Sequence, residues 1–231
     1  MPKPFKISAG SYDLNKWLYG GYESDIISVL YGGPGAGKTN FCLMAAVSQA
    51  KKGKKVIYID TEGGFSIDRI KQLAPDNFEE VLKNIMLLKP TNFAEQKKAF
   101  EQLLGNLKDE VSLIVIDGMT ILYRLDFAAA REREEGEIRK INSELVMQMR
   151  TLAEIARKRN IPVIVTNQVY RWEDSQKMVA GDILKYWGKC LIEIVNEKGR
   201  RIAYLRKHRS LPEKEFDFQI IDSGIKKRGW I

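Results

Sequence analysis

Four runs of almost uninterrupted apolar residues punctuate the chain, and each ends in glycine or a polar group. Ile26-Ile27-Ser28-Val29-Leu30 leads into Tyr31-Gly32, and Val56-Ile57-Tyr58-Ile59 into Asp60. Leu113-Ile114-Val115-Ile116 closes on Asp117, and Ile161-Pro162-Val163-Ile164-Val165 on Thr166-Asn167-Gln168. Apolar residues at consecutive positions belong to parallel strands buried on both faces. Helical periods separate the runs. Asn40 to Lys51 reads as a helix, and Phe93, Lys97, Phe100, Leu103, Leu104 and Leu107 mark an amphipathic one by their three-and-four spacing. A long charged helix carries the stripe Ile138, Ile141, Leu145, Met149, Leu152 and Ile155. It is polar on all sides near its start over 127–137 and ends at Asn160. Strands alternating with helices give an α/β fold on a mostly parallel sheet.

The ends of the chain read differently. Residues 1–11, with Pro2 and Pro4, predict a short extended arm, and 12–21 a brief helical turn closed by Gly20-Gly21. Residues 169–188 show no clear period and predict a surface loop. Cys190 to Val195, Ile202 to Leu205 and Phe216 to Ile221 predict later strands joined by basic turns. With no repeat, low-complexity tract or linker, one domain over 1–231 is the expectation.

The first strand carries the strongest motif. Gly32, Gly33, Pro34, Gly35, Ala36, Gly37, Lys38 and Thr39 fit G-x-x-x-x-G-K-[ST] in full, between a strand and a helix. Such a loop turns successive N–H groups into one concavity that holds a phosphate chain, and the following helix adds its unpaired amides and positive dipole end. Lys38 would reach the β- and γ-phosphates and Thr39 would place its hydroxyl on Mg²⁺. The expected ligand is ATP with Mg²⁺.

Asp117 ends its strand in the manner of a Walker B acid in the Mg²⁺ shell; the alternative is a helix-capping Asp. Glu62 follows the second strand directly and would accept a proton from the water attacking the γ-phosphate, or else is a carboxylate at a helix N-terminus. Asn167 and Gln168 offer an amide to the γ-phosphate, against the alternative of a capped strand end. His208 has no partner for a triad, and a surface role is expected for it. Cys42 and Cys190 show no metal or redox spacing and read as buried, reduced and structural.

Charge adds an anionic partner. The chain has 38 Lys+Arg against 30 Asp+Glu, a formal +8 over 231 residues. From Asn196 onward ten basic residues face five acidic ones. Secretory signals and membrane-length apolar runs are missing, so a soluble cytoplasmic protein is expected.

Taken in order, GGPGAGKT, IDTEGGF with Arg69 shortly after, LIVID and VTNQV resemble the RecA-type recombinase core of the RadA-like branch, from about Leu14 onward. The resemblance implies a RecA-like P-loop NTPase core, a mostly parallel twisted sheet flanked by helices and completed by C-terminal strands. It makes Glu62 the catalytic carboxylate, puts Arg69 on the adenine, and makes Gln168 the switch that couples the γ-phosphate to a DNA loop. Residues 169–188 fall where the family has its second DNA loop. Tyr170, Arg171, Trp172 and Lys177 are its candidate contacts to single-stranded DNA, rings stacking on bases and cations tracking phosphates. Trp187 is expected in the core. Arg124 to Lys140, with Arg131 and Arg133, sits where the first DNA loop would lie; a solvated helix face is the equal alternative. Lys207 and Arg209 lie where related proteins put cations that reach a neighbour's γ-phosphate, with a nucleic-acid contact or plain solvated turn as equal alternatives.

Departures from the family pattern shape the functional expectation. No counterpart of the RadA helix-hairpin-helix domain is expected, and Phe5 and Ala9 stand one residue too far apart for a Phe-x-x-Ala tether. Asn40 replaces the usual glutamine after the P-loop Thr, and Gly118 the common serine after the Walker B acid. The expectation is a weak ATPase that acts as an accessory in recombination and repair, working on a RadA-type recombinase, with a homodimer left open. A KaiC-like signalling ATPase acting on protein partners and a full strand-exchange recombinase are the alternatives.

Overall fold

The structure is a computed structural model that describes residues 5–130, 135–172 and 175–229, without the side chains of 171, 172, 175 and 176. The N-terminal part holds β1 (Lys6–Ile7), α1 (Tyr12–Trp17), β2 (Tyr22–Glu23), β3 (Ile27–Gly32), α2 (Lys38–Ala50) and β4 (Lys55–Asp60). Next come α3 (Ile67–Leu73), α4 (Phe78–Lys83), β5 (Ile85–Leu88), α5 (Phe93–Gly105), β6 (Val111–Asp117), α6 (Ile121–Ala130) and α7 (Glu135–Arg159). The rest comprises β7 (Val163–Trp172), β8 (Ser175–Met178), α8 (Gly181–Trp187), β9 (Gly188–Glu197), β10 (Arg200–His208), β11 (Lys214–Ile221) and β12 (Gly224–Lys227).

One sheet organises these elements in the order β12-β11-β10-β9-β3-β7-β6-β4-β5, with β8 paired to β7. From β9 to β5 every pairing is parallel. From β9 to β12 every pairing is antiparallel. The apolar runs are buried on both sides as expected, and the two-residue strand period divides them between two cores. Val56, Tyr58, Leu113 and Val115 pack under α1 to α4, whereas Ile57, Ile59, Ile114 and Ile116 pack under α5 to α8. Helix α2 is buried at nearly every position from Phe41 to Val47, because the C-terminal strands cover the side that the parallel strands do not.

Several elements differ from the sequence reading. Residues 169–188 are not a loop: β7 runs on to Trp172, turns back as β8, and α8 follows, burying Met178, Val179 and Leu184. Only one side of this segment meets protein, so no full apolar period marks it. The polar start of the long helix is two elements, α6 and α7, and α6 buries Leu122, Tyr123 and Ala130. In α5 the buried face is Phe93, Gln96, Ala99, Phe100 and Leu103, while Leu104 is 52% exposed and Lys97 is exposed. Gln96 is buried because its amide donates to the Met119 carbonyl and to Gln148. From Phe5 onward the arm is tied down: β1 pairs with β2, and Ile7 and Ala9 are buried; residues 1–4 lie outside the described residues. Elements α3, α4, β5 and β12 are too short, at seven residues or fewer, to have announced themselves.

Candidate nucleotide-binding site

Register assembles the site. Gly32 lies opposite Gln168, and Asp60 opposite Asp117, so four strand ends present their groups on one edge of the sheet. Ligands of open α/β sheets bind at that carboxyl edge. Gly37, at φ +114°, caps α2 without a side chain, a conformation that other residues rarely adopt. The loop it closes therefore runs into the helix with backbone alone. Lys38 is only 6% exposed, and its ammonium donates to the carbonyls of Gly32 and Gly33, both at 3.0 Å. Burial lowers its pKa, and the carboxylates of Glu62 and Asp117 oppose that shift.

Asp117 is the buried hub. Its Oδ2 accepts from the Tyr58 hydroxyl at 2.8 Å and its Oδ1 from Thr166 Oγ1 at 2.7 Å. The Thr39 hydroxyl bonds it as well. Burial raises its pKa, and these three donors resist the rise by stabilising the charged form. Thr166 in turn accepts the Gly118 N–H at 2.7 Å. Tyr58 and Thr166 were absent from the sequence-level site, because a strand residue aimed at a carboxylate looks like any other core position.

The second strand supplies a built loop. Asp60, 2% exposed, accepts from the N–H of Glu62 at 3.2 Å, Gly64 at 3.1 Å and Phe65 at 3.0 Å. Sequence reasoning took Asp60 only as a strand end, although an Asp followed by a Gly-rich turn is the signal for a side chain that bonds the backbone just ahead. Glu62 stands solvent-exposed at the mouth, where its Oε2 accepts from Gln168 Nε2 at 3.1 Å. Desolvation raises its pKa, while the Gln168 bond and Lys38 act in the opposite direction. Gly118 sits at φ +96°, and a Cβ there would lie 2.2 Å from Thr61 Oγ1 and 2.7 Å from Glu62 Cγ. Serine at this position would displace the Glu62 arm; the departure from the family pattern keeps Glu62 where it is.

Neighbouring amides divide by the strand period. Asn167 faces the interior, bonding Thr120 and donating to the Val179 carbonyl at 2.8 Å. Gln168 faces Glu62. Asn40 accepts Arg69 Nε at 2.8 Å, and the rest of that guanidinium donates to Gln72 and to the carbonyls of Ile221 and Asp222. Arg69 thus ties α2 and α3 to the β11–β12 turn beside the P-loop helix. The paired oxygens of Thr39 and Asp117 are the hard donors that suit Mg²⁺ completed by phosphate and water, so the residues fit that ion.

The remaining candidates lie elsewhere. Tyr170 is half-buried and packs on the α5–α8 core, contrary to its expected exposure, because β8 holds it against the sheet. Lys177, its cross-strand neighbour, is exposed; the side chains of Arg171 and Trp172 lie outside the described residues. Trp187 packs on the core as expected, and among the described rings of the segment Tyr186 is exposed, at 70%. Arg131 and Arg133 also lie outside the described residues, and Arg139 pairs with Glu135 on the solvated face of α7. His208 sits at the level of Ser28, at the end of the sheet away from the P-loop. Its side chain is 4% exposed, correcting the surface reading: the ring is held by Glu23 at 3.6 Å and accepts the Ser210 N–H. Lys207 donates to the carbonyls of Lys185 and Gly188 at the end of α8, and Arg209 pairs with Glu23 and Asp25, both at 3.0 Å. Cys42 and Cys190 are buried and free.

A P-loop, a buried acid two strands away in the sheet and a Glu–Gln pair on a mostly parallel sheet define a RecA-like P-loop core. The profile of the Rad51 family matches residues 3–228, and the chain belongs to that family. It is 40% identical over 223 residues to the DNA repair and recombination protein RadB of Methanobrevibacter smithii, covering 92% of each chain. It is 39% identical over 212 residues to RadB of Methanocaldococcus jannaschii, covering 92% of this chain and 98% of that one. A crystal structure of the RadB recombinase superposes with a TM-score of 0.80 at 35% identity, covering 96% of this chain and 100% of the other. Among the described residues no helix is long and apolar enough to cross a membrane.

Proposed function

We propose that the protein is a slow, Mg²⁺-dependent ATPase that binds single-stranded DNA and serves homologous recombination and repair as an accessory of a RadA-type recombinase. The observation that carries this reading is the Gln168–Glu62 hydrogen bond beside Lys38 and Asp117. It joins the carboxylate that would orient and deprotonate the attacking water to the strand that continues into the β7–β8 hairpin. Lys38 would exchange its two carbonyl partners for phosphate oxygens, and Thr39 and Asp117 would hold Mg²⁺, whose chemistry when bound would be charge neutralisation on the phosphates. A γ-phosphate competing for Gln168 releases Glu62 and changes the hairpin's anchor. Among the assigned DNA contacts, Lys177 is exposed, with Arg171 and Trp172 at the tip of the hairpin.

The test is binding to a single-stranded oligonucleotide across a salt series, with and without ATP, in wild type and Gln168→Ala. The expected result is affinity that falls steeply with salt and depends on ATP only in the wild type. Purified protein with ATP alone is expected to form no joint molecules. Joint molecules would make it a strand-exchange recombinase, and absence of DNA binding at low salt would make it an ATPase acting on protein partners.

A further inference from the structure

A cavity of about 1180 Å³ lies away from the P-loop and takes part in none of the chemistry above. It runs from α1 along β11 to the β9–β10 turn. Its floor is aromatic: Trp17 stacks on Phe216 with ring centroids 5.4 Å apart, and Lys214 lies over the Tyr19 ring at 4.0 Å. Among the described residues the indole Nε1 of Trp17 is buried without a hydrogen-bond partner, although the residue is 8% exposed. On the rim stand six cations, Lys16, Lys198, Arg200, Lys214, Lys227 and Arg228, against three carboxylates. One of the three, Asp217, is already neutralised by Arg200 at 2.8 Å.

Backbone geometry decides what such a groove holds. Strand β12 covers β11 only from Phe218 to Ile221, and beyond it the Arg228 N–H donates to the Asp217 carbonyl at 2.9 Å. Asp217 therefore turns its backbone groups outward, and the two-residue period of an antiparallel strand makes Glu215 do the same. Its inner neighbours pair with β10, so among the described residues Lys214–Phe216 offers a strand edge with no partner strand along an aromatic floor, while the Asp217 carbonyl is held by Arg228. Nucleic acid has no regular means of satisfying alternating N–H and C=O groups, whereas an extended peptide does so by adding a strand. The unblocked edge is short and flanked by lysine, which discourages edge-to-edge pairing of identical chains.

We infer that this groove is a docking site for an extended acidic segment of a partner protein, which adds a short strand to β11 and seats one apolar or aromatic side chain on Trp17 and Phe216. Cations on the rim meet the segment's carboxylates, and the strand's alternation directs every second side chain to the floor. The site is independent of the nucleotide pocket, so it stands whether or not the recombination reading does.

A library of random nine-residue peptides, selected against the full chain and against Glu215→Pro, tests it. Proline at 215 removes an outward N–H and leaves the ladder to β10 intact, as edge strands tolerate. Acidic sequences with one central aromatic are expected to emerge on the wild type only. A peptide so selected is expected to bind at least about tenfold more weakly to Glu215→Pro and to the Lys227→Glu, Arg228→Glu double variant. ATP affinity and thermal midpoint of both variants should stay at wild-type values. Amide exchange at Glu215 should slow on binding. Equal enrichment on Glu215→Pro, or selection of neutral or basic peptides, overturns the proposal. Displacement of the peptide by oligo-dT assigns the groove to nucleic acid instead. Binding that appears only in a chain truncated after Gly229 assigns it to the chain's own last residues.

Discussion

Lys38, at the start of α2, and Arg209, just beyond β10, are cations at opposite ends of the sheet, and the difference lies in their partners. Lys38 rests on two carbonyls of its own loop, with Glu62 and Asp117 near enough to support its charge. Arg209 is neutralised by two carboxylates at 3.0 Å, and Lys207 beside it closes a helix end. Carbonyl bonds are readily exchanged for phosphate, whereas a cation already paired with two acids gains less from a third anion. The lesson is that a basic residue advertises its charge in sequence, but only its partners tell whether the charge is free to work.

The contrast is broken most directly at Lys38. Lys38→Ala should weaken ATP binding at least about a hundredfold, since each lost contact is charge-assisted. Its fold should survive, because no acid is left buried against a missing partner at hydrogen-bond distance. Calorimetric titration with Mg·ATP checks the first part and thermal unfolding the second. Equal affinity in both proteins would remove Lys38 from the site.

Glu62→Gln should retain ATP and lose turnover by about 10²–10⁴, the usual reach of a positioned base. The pH profile sharpens this. A base must be ionised, and the pKa of Glu62 is raised, so activity should fall on acidification at a higher pH than for an ordinary carboxylate. The Gln168 hydrogen bond lowers that pKa in the free enzyme, so Gln168→Ala should move the acid limb of kcat/KM, which reports the free enzyme, further up. A limb unmoved by Gln168→Ala would separate Gln168 from Glu62.

Thr166→Val leaves one Asp117 oxygen and the Gly118 N–H without their partner, which costs about 1–3 kcal/mol in a denaturant titration. Losing a donor to the charged form also raises the Asp117 pKa further, so Mg²⁺-dependent nucleotide binding should need a higher pH. Arg209→Ala should cost about 1 kcal/mol or less, because its pairs are partly open to water. Turnover per subunit that is independent of concentration and of this substitution would confine Arg209 to Glu23 and Asp25; turnover that rises with assembly and drops in the variant would restore a role across a subunit boundary.

The parallel strands and the P-loop were legible because burial on both faces leaves unbroken apolar runs and the phosphate loop has a fixed spacing. Lys38, Thr39, Glu62, Asp117 and Gln168 come together as the strand ends required. What stayed hidden shares one physical cause: a residue whose role is to bond another residue has no local pattern. Tyr58 read as strand interior, Thr166 and Asp60 as strand ends, and Gln96 stood outside the apolar stripe read for its helix. Tyr170 was read outward because its burial depends on β8, a partner that the half-exposed hairpin sequence does not announce.

The P-loop strand β3 is flanked on both sides by late-coming sequence, since Ile27 pairs with Val163 on one side and Gly188 on the other. A ribosome has to deliver most of the chain before that strand has any neighbour at all. Until then Val29 and Leu30, fully buried at the end, are exposed to every other sticky surface in the cell. Long-range parallel pairing of this kind makes folding slow and leaves a window for aggregation. The strand at the centre of the finished molecule is one of the first to be made, and it is shielded on both edges only after more than a hundred further residues, on the order of ten seconds at bacterial synthesis rates.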